Sequence, residues 1–318
     1  QCIVEITTDV CDNVNQIYDD LRPKLDMAID CANQNNLELL AMPIHPFSKV
    51  SDQKVSDNKR YTEFLNRMQW PLRRLLITGI HVHVGVESGE KAIAIINGMK
   101  RYIPYLIALS ANSPYFEGEK TGLASTRTKI FEGLPNTGIP ENLRNYSEFQ
   151  KFMRTLISAN SIESIREIWW DIRPHPYYGT VEIRIFDSIS NLSDIKDLTA
   201  LCQALVIGMS NHYDNGTHLP YLDNWILYEN KWRATRYGMD ADLIIDEDGN
   251  QASIKDEMIN TIINLEPEID KFNLSSNMER LIKRIKSGHA YYKDQMMTYK
   301  KNKNFKDVIR VNIENLKS

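Results

Sequence analysis

The chain has 318 residues, a formal charge of −4, 42% hydrophobic residues and 25% charged residues. This balance is ordinary for a soluble globular protein, and its slight acidity argues against a nucleic-acid binder, which usually carries a basic face. Four scattered cysteines (Cys2, Cys11, Cys31, Cys202) make no CxxC pair, and no run of about 18 apolar residues offers a membrane span. The expectation is therefore a reduced, cytoplasmic protein without membrane or nucleic-acid partners.

Cys2 to Thr8, "CIVEITT", is short and β-branched and predicts a strand. Between Asn13 and Asn35 the residues Val14, Ile17, Leu21, Leu25, Ala28 and Ala32 recur at helical steps, with Pro23 as a potential kink. Leu37 to Met42 reads as a second strand, and Arg60 to Ile77 as a helix interrupted near Trp70-Pro71. "GIHVHVGVESG" (Gly79 to Gly89) contains a strand from Ile80 to Glu87. Ala92 to Ala111 is strongly apolar and predicts a helix containing Pro104. Asn112 to Pro140 is rich in Gly, Pro, Ser and Thr and reads as a long loop, a length that usually marks function or disorder. A helix is expected over Tyr146–Ala159, then two strands in "IWWDIRPHP" and "GTVEIRIFD" around a Pro/Gly turn, then a helix over Ile195–Tyr213. "YENKWRATRYGMDADLIIDEDGN" reads as a loop, and the chain from about Asp256 onward as mostly helical. With no convincing linker, residues 1–318 are expected to form a single domain with a helical C-terminal part.

Strand alternation places ionisable groups together. His81 and His83 share a face opposite Val82 and Val84. Glu182 and Arg184 lie with Thr180 and Phe186, opposite Val181, Ile183 and Ile185. Glu5 lies with Ile3 and Thr7, opposite Val4 and Ile6. A surface salt bridge explains any one such strand. Three of them favour one polar concave surface, because a mid-strand charge is costly to bury unless paired or coordinated. Carboxylates with a neutral imidazole suit Mg²⁺ or Mn²⁺, and an adjacent arginine suits phosphate. No P-loop or Rossmann glycine motif is present.

The ordered runs "VEITTDVC" (Val4–Cys11), "HPF" (His45–Phe47), "RY" (Arg60–Tyr61), "GIHVHVG" (Gly79–Gly85) and "LIALSANSPYFEG" (Leu106–Gly118) carry a resemblance, as do "TGLASTR" (Thr121–Arg127), "WWDIRPHP" (Trp169–Pro176), "GTVEIRIFD" (Gly179–Asp187) and "ENKWRATRYGMDA" (Glu229–Ala241). Over about residues 1–245 the chain resembles the carboxylate-amine ligase group of the glutamate–cysteine ligase type 2 family. The resemblance implies an α+β, glutamine-synthetase-like fold: a curved, mainly antiparallel sheet with helices packed behind it. It implies ATP-dependent amide formation through an acyl phosphate, releasing ADP and phosphate, with Mg²⁺ or Mn²⁺ bridging the phosphates. Glutamate and cysteine, or another amine, are the implied substrates, and a homodimer is the default assembly. Carried residue by residue, Glu5, His83 and Glu182 become candidate metal ligands, and Glu182 and Arg184 candidate catalytic residues. His81, His83, Arg184, Arg233 and Arg236 become candidate nucleotide contacts, the last two on a closing loop. Arg127 and Arg173 are candidates for holding the substrate carboxylate.

The family opens with a G-[VI]-E-x-E strand ahead of "VEIxT", and this stretch has no counterpart in the 318 residues. Either the 318 residues are part of a longer chain or the strand has been lost, and a family member that binds nucleotide or a partner without turnover is the main alternative. A metal hydrolase of the amidohydrolase type also uses a strand HxH but needs further histidines at strand ends. The remaining five here (His45, His175, His212, His218, His289) give that reading little support. The basic "YKKNKNFK" (Tyr299–Lys306) reads as a solvated helix face, with an acidic partner or membrane surface as the alternative.

Overall fold

The computed structural model describes residues 2–54, 59–219 and 221–317. In chain order its elements begin with helices α1 (Val14–Gln34), α2 (Lys59–Met68) and α3 (Trp70–Arg73), strand β1 (Gly79–Gly85), and helices α4 (Gly89–Met99) and α5 (Ile103–Ser110). Strands β2 (Tyr115–Phe116) and β3 (Glu119–Lys120) follow, then α6 (Thr126–Phe131), β4 (Thr137–Gly138) and α7 (Tyr146–Ser158). Strands β5 (Trp169–Trp170), β6 (Ile172–His175) and β7 (Thr180–Asp187) lead to α8 (Leu192–Asp214) and α9 (Asn224–Tyr237). A hairpin of β8 (Asp242–Ile244) and β9 (Gln251–Ser253) precedes helices α10 (Ile254–Asn264), α11 (Glu266–Lys271), α12 (Ser275–Ser287), α13 (Tyr291–Asn302) and α14 (Phe305–Lys317).

The main sheet is antiparallel, in the order β1-β7-β6. Its apolar side carries Val82, Ile172, Val181, Ile183 and Ile185 into the principal core, against α4, α5 and α8. Helix α5 is buried along its whole length, so it forms the centre of the molecule and not an amphipathic cover. A satellite core of Ile93, Phe149, Ile162, Ile168 and Trp170 seats α7 against α4 and β5. The C-terminal helices are tied back by buried polar contacts. Asn277 Nδ2 donates to Asp197 at 2.7 Å, and Gln295 Nε2 donates to Asn112 Oδ1 at 2.6 Å.

Six expectations need correction. Cys2–Thr8 is irregular and mostly exposed, and Leu37–Met42 is also irregular. A strand persists only where a neighbour takes its backbone groups, and the main sheet, β1-β7-β6, pairs neither segment. The apolar stretch Ala92–Ala111 is two helices, α4 and α5, joined by a 3₁₀ turn at Lys100–Tyr102, with Pro104 accommodated in the first turn of α5. The long loop contains a small hairpin, β2-β3, and the six-residue α6, capped by Ser125. The expected loop at 228–250 is largely α9 followed by the β8-β9 hairpin. Phe186, expected beside Glu182 and Arg184, is fully buried within the principal core. The side chains of Arg60 and Tyr61 lie outside the described residues.

Candidate active site

Register builds the site. His83 of β1 stands opposite Glu182 of β7, and Arg173 of β6 stands opposite the same Glu182. Directly opposed residues share a face, so Arg173, Glu182 and His83 form one row across three strands. One step along, His175 and Gly85 flank Thr180. A register irregularity between Ile80 and Val82 lets His81 reach the same carboxylate, as a bulge re-aims a side chain.

Glu182 is the centre. Arg173 Nε donates to Glu182 Oε2 at 2.6 Å, and Arg184 Nη1 donates to Oε1. His81 Nδ1 and His83 Nε2 each lie 3.8 Å from Oε1. Burial alone would raise the Glu182 pKa. Arg184 and Arg173 outweigh it and hold the carboxyl at about 2, so the group is an anion at neutral pH. His81 is pushed down to about 3, first by burial and then by the Arg184 charge. Burial also lowers His83, against the opposing pull of Glu182. Both imidazoles are therefore neutral at pH 7. With two guanidinium groups, one carboxylate and neutral histidines, the face carries a net positive charge that suits an anion.

The other expected residues fall elsewhere. Arg127 is buried, and its Nη1 and Nη2 donate to the Ile185 and Arg184 carbonyls, each at 3.2 Å. Its guanidinium occupies the space beside Gly79, where a Cβ would lie 2.3 Å from Nη2. Arg127 thus holds β7 and is not presented to a substrate carboxylate. Arg173 likewise spends Nη1 on the Ile165 and Ile168 carbonyls, at 2.6 and 2.7 Å, so it orients Glu182. Arg233 and Arg236 lie on helix α9, not on a closing loop. Arg233 is engaged by Glu229 Oε1, Gln251 Oε1 and the Asp242 carbonyl, while Arg236 is exposed over the Tyr237 ring. Glu5 is exposed in the irregular N-terminal stretch, so Glu5, His83 and Glu182 are not assembled into a triad. Among the described residues no group of three His, Cys, Asp or Glu side chains is placed to hold a metal. Both Glu182 oxygens are already engaged by arginines, and a hard cation wants several oxygen ligands. The present donor set does not fit a resident Mg²⁺ or Mn²⁺.

Beneath the polar face lie residues that sequence reasoning missed. The Arg184 N–H donates to the Asp171 carbonyl at 2.8 Å. The Asp171 side chain meets Lys231 Nζ at 2.6 Å, and Lys231 also meets Glu132 at 2.7 Å. Burial opposes the Lys231 charge, but the two carboxylates prevail and keep it protonated. Asp187 Oδ2 accepts from the Asn112 N–H and the Ser113 hydroxyl, while Oδ1 accepts from the Ser125 hydroxyl. Asp171 and Lys231 fall inside the "WWDIRP" and "ENKWR" runs, which were the only available signal.

A model of the family described as glutamate–cysteine ligase family 2 matches residues 1–315. The chain belongs to that family. A protein of Frankia alni, provisionally named glutamate–cysteine ligase 2-1, is 41% identical over 288 residues, covering 91% of this chain and 75% of its own length. A Thermobifida fusca protein provisionally named glutamate–cysteine ligase 2 is 38% identical over 291 residues, covering 92% and 73%. Among solved structures, glutamate–cysteine ligase from Francisella tularensis in complex with AMP aligns with a TM-score of 0.62 at 12% identity, covering 88% of this chain and 74% of that one. The Pup ligase PafA in complex with ADP aligns with a TM-score of 0.53 at 12% identity, covering 97% and 65%. These likenesses show the fold: α+β and glutamine-synthetase-like, as the resemblance implied. No helix among the described residues is long and apolar enough to cross a membrane.

Proposed function

We propose that this glutamate–cysteine ligase family 2 member is an ATP-dependent carboxylate-amine ligase, with Mg–ATP, glutamate and an amine such as cysteine as substrates. The observation that carries the reading is the Arg173–Glu182–His83 row with Arg184 beside it, in a chain matched by the family model over residues 1–315. The AMP and ADP held by two proteins of like fold support a nucleotide site.

In this mechanism a carboxylate oxygen of glutamate attacks the γ-phosphorus of ATP, the bond to the ADP oxygen breaks, and an acyl phosphate forms. The amine then attacks the acyl carbon, loses a proton, and expels inorganic phosphate as the amide bond closes. Arg184 stabilises charge on the transferring phosphoryl group. Glu182 keeps Arg184 aimed, and Arg173 keeps Glu182 aimed. His81 and His83, being neutral, offer hydrogen bonds without adding charge. The metal enters with its nucleotide as Mg–ATP, and no step is assigned to a resident ion.

The test is ADP release from Mg–ATP with glutamate and a panel of amines including cysteine, with Arg184→Met as control. Glutamate labelled with ¹⁸O in its carboxylates is run in parallel. Amine-dependent ADP release, absent from the control and accompanied by one ¹⁸O in the phosphate produced, supports the ligase and its acyl phosphate. ADP release without label transfer overturns the intermediate. Nucleotide binding without any turnover favours the binding-only alternative.

A further inference from the structure

Away from the polar face, a separate cavity lies where the chain leaves β7 and enters α8. Ser190, Asn191, Leu192 and Ser193 line it from that junction, and Arg22 lines it from α1. The last turn of α14 closes another side through Leu316. Its volume is about 80 Å³, several times the roughly 10–15 Å³ that a single water needs. No residue of the Arg173–Glu182–His83 row lines it.

Hydrogen-bond donors dominate this lining. Ser190 is 1% exposed, and its hydroxyl has no hydrogen-bond partner among the described residues. A buried hydroxyl left in this state is costly, which points to a group that completes it. The second source of donors is α8 itself, a helix of 23 residues whose dipole is positive at this end. Asn191 caps it: its Oδ1 accepts from the Asp194 N–H at 3.0 Å, and its carbonyl accepts from the Ile195 N–H at 3.1 Å. The Leu192 and Ser193 N–H groups precede the first bond within the helix, so no helical carbonyl stands behind them. With Oδ1 engaged, the Asn191 amide keeps its Nδ2 as a further donor. Arg22 gives Nε to Asp26 Oδ1 at 3.0 Å and Nη2 to the same carboxylate, which leaves Nη1. It therefore brings a directed donor more than a free charge. The acidic residue of the first turn, Asp194, is compensated by Arg284 Nη1 at 3.1 Å and by the Tyr291 hydroxyl.

We propose that this cavity is an oxyanion site that takes inorganic phosphate, with the Leu192 and Ser193 N–H groups, the Ser190 hydroxyl and Arg22 as its donors. Free N–H groups and a positive dipole end together make a phosphate site at a helix N-terminus. Here the donors come from the start of a helix, the segment before it and a second helix. Such a spread matches the tetrahedral oxygens of phosphate better than a planar carboxylate. Ser193 is exposed, which leaves a way in from solvent. The site stands independently of the nucleotide reading.

The experiment titrates inorganic phosphate into the 318-residue chain and into Ser190→Ala, at constant ionic strength. Amide resonances of Leu192 and Ser193 report the cavity, and that of Arg184 reports the polar face. In wild type the Leu192 and Ser193 signals should shift and saturate. In Ser190→Ala their midpoint should rise about tenfold, because a hydrogen bond to a charged acceptor is lost, while any response at Arg184 stays as in wild type. Thermal melting gives a second readout. Without phosphate, Ser190→Ala should melt no lower than wild type, since its hydroxyl has no protein partner to lose. Added phosphate should then raise the wild-type melting temperature more than that of the variant. Shifts confined to Arg184 overturn the proposal, because phosphate would bind the polar face only. Equal midpoints for Leu192 and Ser193 in the two proteins also overturn it. So does a Ser190→Ala that melts lower without phosphate, because a resident water would then be completing the hydroxyl.

Discussion

Lys231→Met tests whether the layer beneath the sheet holds the site. Lys231 and Asp171 are almost wholly buried and meet at 2.6 Å, while Glu132 is about a quarter exposed. Removing the ammonium leaves the Asp171 carboxylate without its counter-ion in a poorly hydrated place, a change that typically costs about 3–5 kcal/mol. Glu132 can recover some hydration and adds little. At about 2.1 cal/mol/K per residue, a chain of 318 residues unfolds with an entropy near 0.7 kcal/mol/K, so the melting temperature should fall by roughly 4–8 °C. Adding Asp171→Asn removes the orphaned charge and should restore more than half of the loss. Calorimetric melting of the wild type, both single variants and the double variant completes the cycle. ADP titration of the same proteins reads the functional consequence, because the Asp171 carbonyl fixes the Arg184 N–H. A melting temperature within about 1 °C of wild type for Lys231→Met would refute the reasoning, as would a double variant as unstable as the two single losses added together.

Two further predictions concern the sheet itself. His81 has a folded pKa near 3 against an ordinary 6.5, so between those values the unfolded chain binds a proton that the folded chain refuses. Stability therefore rises with pH through this window and is lost as pH falls below 6.5. His81→Gln should show a smaller drop in urea midpoint between pH 7 and pH 5 than wild type, and an equal drop would remove His81 as a source of acid sensitivity. Gly79→Ala would place a Cβ 2.3 Å from Arg127 Nη2 and 2.7 Å from the Phe186 carbonyl oxygen. Because one obstacle is backbone, the strand must shift, at a cost of about 1–3 kcal/mol. Wild-type melting of this variant would mean that β1 and β7 are free to separate.

The strands with the clearest alternation were legible in the sequence because one of their faces is buried. Val82 on β1, and Val181, Ile183 and Ile185 on β7, point into the core, and the alternation of charged and aliphatic residues announced it. Helices α1 and α7 showed their apolar stripes for the same reason. Helix α9 did not, because Ile226, Leu227 and Ala234 share its buried face with polar side chains while large aromatic residues stay outside. Trp225, Tyr228 and Trp232 are exposed, whereas Asn230, Lys231 and Thr235 are buried. A reading based on hydrophobic period does not expect this mixture, and a polar network supplied by distant residues makes the buried polar groups stable: Asp171 and Glu132 for Lys231, and the Ile244 backbone for Asn230. The N-terminal stretch fails for the complementary reason. "CIVEITT" has strand propensity, but propensity does not supply a partner edge.

The same distinction divides the arginines. The runs that contain them drew attention, yet sequence could not separate a guanidinium that faces a ligand from one that holds the sheet. The structure separates them by what their donors meet. Arg127 binds two carbonyls of β7, and Arg173 binds two carbonyls and Glu182. Arg184 is directed to Glu182 through Nη1, and its buried Nε, like that of Arg127, has no partner among the described residues. An unsatisfied buried donor costs free energy unless something completes it, and here it stands beside a carboxylate fixed by a second arginine. Of the three, only Arg184 gives no side-chain hydrogen bond to a backbone carbonyl among the described residues, which makes it the group on which nucleotide binding should depend most steeply.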